Sequence, residues 1–387
     1  MSVQQADWAS LPGDIMDTVL KKLGSFDEYL RVSQVCMSWF SFVMNHTELK
    51  ELSRKQAPLL VIPAIDNSRD RRNLYSVIDR KTYGVQVILR YNRRCVGSSH
   101  GWLATVGRKM VITLTNPFSQ RQIRLPPIFN PPKGDITKDN PYCFYLWVFK
   151  VILSDDPDLC PENCVVGVIY DHLDRLAFIK LGDECWTYVD MNLKAFTDIT
   201  FSRGLLHAID RHGKLISVDL NIDSYVGENE VEVIVPRCMP RQSDFAYIVE
   251  SCSRDILMVR RFLVKQPEHK DLYLTREIRV FKLKRNSSAR SGWIEVKNLD
   301  GESLFVGDSH STSLSCSEFP GVKPNCIYYT DDYFHDGHYH YKEDGPLDMG
   351  VFDMDNGSFE SHYVLDPSQK QFPPAIFIMP SFSRNFP

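Results

Sequence analysis

From Pro58 onward this chain of 387 residues alternates short apolar or β-branched runs with Gly, Asp, Asn and Pro turns, and no long stripe of helical period interrupts it. Such a pattern reads as one strand after another. Candidate strands cover residues 59–62, 85–89, 102–106, 110–115, 147–153, 165–170, 176–181 and 185–189. The series continues through 205–209, 215–220, 231–235, 246–249, 256–264, 278–283, 293–296, 326–329, 349–353 and 375–379. A single compact core stops growing at about 250–300 residues, so a β region this long points to repetition around an axis. Strand pairs with tight polar turns recur in H-A-I-D-R-H-G-K-L-I-S-V-D, I-V-E-S-C-S-R-D-I-L-M-V-R and V-F-D-M-D-N-G-S-F-E. Trp186 and Trp293 sit near Gly turns in comparable strands, where packing between stacked sheets is the expected role. Units of roughly 40–60 residues with four strands each fit propeller blades. The expectation is a mainly β protein with a propeller of five to seven blades, one of them closed by pairing 59–62 with 375–379.

The first fifty residues are built differently. Ile15, Met16, Val19, Leu20 and Leu23 form one apolar stripe on a helix. Pro12 stands near its start, Asp14 and Asp17 favour its positive end, and Gly24 offers a stop. Ser25-Phe26-Asp27-Glu28 matches a capping box that opens a second helix carrying Val32, Val35, Cys36, Trp39, Phe42 and Val43. Leu49 and Leu52 extend a further turn before Pro58. A bundle of about 40–50 residues buries too small a fraction of its surface to stand easily alone. It packs on the rest of the chain, on a partner, or on both.

Leu11-Pro12, Asp14, Ile15, Val19-Leu20, Leu23, Leu30-Arg31, Val35-Cys36 and Trp39 follow the order and spacing of an F-box, and residues 8–52 resemble that family. The resemblance implies docking to a Skp-type adaptor, and through it to a cullin scaffold, in an SCF-type ubiquitin ligase. It implies Leu11, Pro12, Ile15, Val19, Leu20, Leu23, Leu30, Val35, Cys36 and Trp39 as the adaptor-binding residues. Met37 and Phe40 stand where the family commonly has basic residues, which lowers the charge at the rim of that face. Residues 58–380 resemble a plant F-box-associated family that carries a kelch-like β-propeller. The likeness rests on S-S-H-G-W-L-A-T-V, N-P-F-S-Q-R-Q-I-R-L-P-P, H-A-I-D-R-H-G-K-L-I-S-V-D-L, F-V-G-D-S-H-S and F-P-G-V-K-P-N-C-I-Y-Y-T-D-D. It implies a substrate-recruiting propeller on a non-catalytic ligase subunit, with a target protein whose identity it does not give. The same helices would also serve an F-box scaffold or decoy acting outside a ligase.

Composition excludes several other classes. The formal charge of −4 argues against a nucleic-acid binder, and the arginines at 69, 71 and 72 and at 90, 93 and 94 read as solvated faces. No N-terminal signal pattern is visible and no apolar run approaches the roughly 18 residues of a membrane span. Ten cysteines without secretory context are expected to be reduced thiols, which places the protein in the cytoplasm, the nucleus or both. Cys160 and Cys164 lack a second Cys/His pair at zinc-finger spacing.

Gly97-Ser98-Ser99-His100-Gly101 matches the nucleophile elbow of serine hydrolases, but a strand reads on where that chemistry needs a helix, so a turn is expected. Asp331, Asp332, His335, Asp336, His338 and His340 form the most metal-like cluster. A polar insertion between two strands explains it without a metal, whereas a catalytic zinc needs a fixed three-ligand geometry. A metal-dependent propeller enzyme centred there is the alternative. No cofactor is expected.

Overall fold

The computed structural model describes residues 8–64, 68, 70–89, 93–107, 110–128, 147–171, 173–189, 193–220, 225–226, 231–240, 242–265, 273–285, 291–331, 348–364 and 375–382. A 3-10 turn (Trp8–Ser10) leads into four helices: α1 (Gly13–Leu20), α2 (Phe26–Ser33), α3 (Met37–Asn45) and α4 (Thr47–Arg54). The Pro12 carbonyl accepts from the N–H groups of Ile15 and Met16, each at 3.1 Å, and so opens α1. The capping box is formed: Ser25 Oγ accepts from Glu28 N–H, and the Glu28 carboxylate accepts from the N–H groups of Gly24 and Ser25. The single helix expected through Val32 and Val43 is two. Ser33 Oγ and Gln34 Nε2 both donate to the Leu30 carbonyl, which competes with continuation of the helix. The chain is then extended at Cys36 before α3 begins.

Six sheets follow. Blade 1 holds β1 (Leu59–Pro63), β2 (Arg71–Ser76) and β3 (Lys81–Ile88), with β26 (Ile376–Ile378) added at its inner edge. Blade 2 runs in order through β4 (Arg94–Ser99), β5 (Trp102–Val106), β6 (Ile112–Thr115) and β7 (Gln122–Arg124). Blade 3 is β8 (Val148–Leu153), β9 (Val165–Tyr170), β10 (Arg175–Lys180) and β11 (Thr187–Val189), with β15 (Tyr225–Val226) at its outer edge. Blade 4 is β12 (Phe196–Ser202), β13 (Leu205–Asp210), β14 (Leu215–Asp219) and β16 (Val231–Val235). Blade 5 is β17 (Phe245–Glu250), β18 (Ile256–Lys265), β19 (Tyr273–Lys284) and β20 (Gly292–Val296). Blade 6 departs from this simple order. Its β21 (Glu302–Val306) lies second, β22 (Thr312–Ser315) folds back inside it, and β23 (Cys326–Tyr329), β24 (Gly350–Asp353) and β25 (Phe359–Glu360) lie outside. β21 and β23 are consequently parallel.

The protein is therefore a six-bladed β-propeller preceded by helices. The expected closure is present: Leu59 pairs with Ile378, Leu60 with Phe377 and Val61 with Ile376. The three strand pairs read as a repeat fall at different places in their blades, between β13 and β14, between β17 and β18, and between β24 and β25. The tryptophans are equivalent in a different way. Trp186 Nε1 donates to the Pro126 carbonyl of blade 2 and Trp293 Nε1 to the Gly213 carbonyl of blade 4, each reaching the preceding blade.

Each pair of neighbouring blades encloses an apolar layer, for example Val96, Trp102 and Ile112 of blade 2 against Val151, Val166 and Tyr170 of blade 3. Burying each such side chain contributes about 1.5–3 kcal/mol. The layer between blades 1 and 2 also takes in the helices. Two arginines read as solvated are inside instead: Arg72 and Arg94 are buried in β2 and β4.

Bulges recur at the same place in the inner strands of blades 2, 3 and 4, between Cys95 and Gly97, between Val148 and Lys150, and between Phe196 and Asp198. At the first, the inner strands come so close that a Cβ on Gly97 would fall 1.9 Å from the Val151 carbonyl oxygen. Gly97→Ala is expected to lower stability by about 2–3 kcal/mol through this clash, measurable as a shift of the denaturant midpoint.

Three interior histidines are held neutral by burial, His207 and His362 at about 4 and His310 at about 3. An unfolded histidine titrates near 6.5, so below that value the unfolded chain binds protons that the folded one refuses. The stability they contribute is complete above about pH 6.5 and is lost as pH falls toward their folded values. Calorimetric melting should accordingly fall between pH 7 and pH 5.

Candidate functional site

The four helices pack against blade 1, where α2 meets the outermost strand β3, and share an apolar layer that also takes in Leu103 and Phe118 of blade 2. Phe26 lies beside Tyr83 of β3 in a tilted arrangement at a ring distance of 6.2 Å and meets Phe382 edge-on at 5.9 Å. Phe382 in turn lies 5.1 Å from Phe118, in the turn between β6 and β7. Gln34 Nε2 donates to the Gly84 carbonyl at 3.0 Å, so the end of α2 is tied to the outermost strand of blade 1. Beside it the nearly buried Asp27 pairs with Arg31 at 2.6 Å and with Lys81 of β3 at 3.8 Å. An edge strand that would otherwise offer free backbone groups is thus covered.

That packing divides the ten residues expected to bind an adaptor. Leu20 and Leu30 are 0% and 1% exposed, in one layer with Leu59, Leu74, Leu103 and Ile376. In this structure both side chains pack the helices against the propeller, whereas an adaptor-binding role was expected of them. An apolar stripe has the same spacing whether its neighbour is the chain itself or another protein. Leu11, Leu23, Cys36 and Trp39 are half-buried, whereas Pro12, Ile15, Val19 and Val35 are exposed. Ile15 and Val19 lie one turn apart on α1, at 46% and 38% exposure, and Val35 in the α2–α3 turn is 59% exposed.

Two further apolar side chains belong to the exposed set, Trp8 and Met37. Sequence had Met37 only as a missing charge, and Trp8 precedes the motif. The backbone signal for Trp8 comes from structure alone: Trp39 Nε1 donates to its carbonyl at 2.9 Å and fastens the leading turn onto α3. Of the thirteen large apolar side chains exposed among the described residues, five lie between Trp8 and Met37. The other eight are spread over the rest of the chain, so this is where exposed apolar surface is concentrated.

Charge surrounds the helices without entering this set. His46, at the α3–α4 junction, lies 3.0 Å from Asp17 of α1 and 2.8 Å from Glu48 of α4. Lys21 and then His46 hold the Asp17 carboxyl below its usual range. A cleft of about 220 Å³ opens between the α1–α2 turn and α4, lined among others by Leu23, Tyr29, Leu52 and Lys55.

The described parts of the competing constellations are accounted for by turns and hydrogen bonds. Ser99 ends β4 and is followed by a two-residue turn, His100 (φ 51°) and Gly101 (φ 81°), that leads straight into β5. Its hydroxyl accepts from Leu153 N–H at 3.2 Å, and no helix follows. Residues 332–340 of the metal-like cluster lie outside the described residues. The remaining member, Asp331, accepts from Tyr273 OH at 2.5 Å. Among the described residues no group of three or more His, Cys, Asp and Glu could hold a metal ion, and no helix is long and apolar enough to cross a membrane.

The split between packing and exposed residues has a measurable signature. Leu30→Ala should cost about 2–5 kcal/mol of unfolding free energy, as a buried leucine does. Val35→Ala should stay within about 0.5 kcal/mol of the parent. Equal costs in chemical denaturation would contradict the division.

Comparison with known proteins bears on the whole chain. Residues 74–353 match the KIB1-4 beta-propeller family. The F-box protein SKIP23 of Arabidopsis thaliana is 23% identical over 96% of this chain and 95% of its own length. The Arabidopsis F-box/kelch-repeat protein KIB1 is 24% identical over 83% of this chain and 77% of its own. F-box protein KIB2, from the same plant, is 21% identical over 83% and 72%. With its leading helices and its six blades, the chain belongs to the KIB1-4 beta-propeller family as a plant-type F-box protein.

Proposed function

We propose that this protein is the substrate-recognition subunit of an SCF-type ubiquitin ligase, in which the helices dock a Skp-type adaptor and the propeller holds a target protein. The observation that carries the reading is the concentration of exposed apolar side chains on helices whose opposite face is already sealed against the blades. Exposed apolar surface of this kind marks an interaction site. A standard interface buries about 1,600 Å² in total and draws most of its energy from a few anchors. Ile15, Val19 and Val35, with Leu11, Pro12, Cys36 and Trp39 around them, are the anchors offered here. The adaptor would carry the cullin scaffold. Ubiquitin transfer would take place on other subunits, and this chain would supply proximity, turning a bimolecular encounter into a local one. The domain division follows the same lines, with residues 8–52 as the docking part and 58–380 as the recruiting part.

The test is calorimetric titration of a purified Skp-type adaptor into the full chain. Leu11→Ala/Pro12→Ala and Ile15→Asp/Val35→Asp should each weaken binding by about tenfold or more, since truncated or desolvated anchors cost over 1 kcal/mol each. Unaltered binding in both variants would sink the docking reading. A wild-type complex that takes up adaptor but no cullin would assign the protein to scaffolding outside a ligase.

A further inference from the structure

Two stretches that open on a glycine and that adaptor docking does not use meet at the centre of the ring. One is the Gly97–Gly101 motif at the end of β4. The other is Gly307-Asp308-Ser309-His310-Ser311, which links β21 to the innermost strand of blade 6, β22. This second segment is bonded across the ring. His310 N–H donates to the Ser98 carbonyl of blade 2 at 2.9 Å. Lys150 Nζ of blade 3 donates to the Gly307 carbonyl at 3.0 Å. In blade 4, Ser311 Oγ donates to the Asp198 carboxylate at 2.9 Å, and His310 Nε2 lies 3.2 Å from Thr200 Oγ1. Asp308 faces Arg94 of blade 2 at 3.7 Å.

Asp198 gathers these contacts. Its carboxylate pairs with Lys150 and also accepts from Ile248 N–H of blade 5 at 3.0 Å. The side chains of Lys150 and Asp198 are 5% and 0% exposed. An unpaired buried charge is costly, whereas this one has an opposite charge and three further donors. The segment is shaped for its place: Gly307 has φ 152°, and a Cβ there would fall 1.9 Å from Thr330 Oγ1. Gly307, Ser309 and Ser311 are buried. Blades 2 to 6 thus all reach the segment or the carboxylate it bonds.

We propose that residues 307–311 act as an internal ligand, filling the centre of the propeller and locking the inner strands of blades 2, 3 and 4 to blade 6. Where a propeller can leave an open channel, this one is spanned by its own chain, and target recognition is left to the faces and outer edges. The lock is independent of whether the helices dock an adaptor.

Hydrogen exchange of the full chain, followed peptide by peptide, tests it with Ser311→Ala and His310→Ala. Exchange in β4, β8 and β12 should rise together by about tenfold or more, while the outer strands β7, β16 and β20 keep the parent rates. Faster exchange confined to residues 307–311, with β4, β8 and β12 unchanged, overturns the proposal. Should His310→Ala fail to fold, Ser311→Ala removes a single hydroxyl and carries the same comparison.

Discussion

The pairing of β26 with β1 is the contact on which both halves of the molecule depend. It joins strands from the two ends of the chain, so the loop it closes is nearly the whole propeller. Closing a flexible loop of that length costs about 5 kcal/mol. The three residues of β26, Ile376, Phe377 and Ile378, are all buried, and burial at about 1.5–3 kcal/mol each is of the size needed to offset it. The same strand leads to Phe382, and Ile376, Ile378 and Phe382 share a layer with Leu20, Phe26, Tyr29 and Leu30. Ring closure and the seating of the helices are therefore one event in packing terms. The helices could not keep their present face buried on an open ring, because part of the surface they cover comes from the last strand.

At the centre of the ring the balance of forces is different. Inner strands converge there, side chains crowd, and backbone groups of successive blades come within reach of one another. Apolar layers fill the spaces between blades further out, while the hub carries Arg94, Lys150, Asp198 and Asp308. Desolvation pushes the Asp198 and Asp308 carboxyls up, and the neighbouring cations pull them back. A buried pair of this sort is a weak source of stability compared with well-packed apolar residues, but breaking it is expensive. Its effect is to penalise arrangements in which the blades are rotated or slipped, since each would strand a charge. The bulges in β8 and β12 fall next to this pair, since Lys150 and Asp198 each follow the bulged position of their strand.

Much of the fold was legible because it follows local rules. Leu11 to Trp39 carry caps and helical spacing, and 59–62 with 375–379 were readable as the closing pair from their place at the two ends of a β series. Strands β4, β12 and β22 escaped because the hub makes them polar: R-C-V-G-S-S, F-T-D-I-T-F-S and T-S-L-S lack the apolar run that marks a strand elsewhere. For the same reason Arg94 read as a surface charge. The inverted order in blade 6, with β22 folded back inside β21, is a matter of chain path that the strand pattern does not show. Leu20 and Leu30 were recognised as apolar anchors, yet only the position of blades 1 and 2 shows which surface they anchor to.

The division of the helical stripe has a consequence for how any partner is presented. A free two-helix hairpin could turn its whole apolar surface toward a partner and swing on a linker. Here the side carrying Leu20, Phe26 and Leu30 is fixed by the propeller, and Asp27, Lys81 and the Gln34–Gly84 bond fix its edge. What remains exposed includes Ile15, Val19 and Val35, on helices held against a propeller whose blades 2 to 6 are tied through the hub. A protein bound there and a protein bound on the propeller would then stand in a defined geometry. Such a geometry, more than affinity at either site, sets the effective concentration of one bound partner near the other.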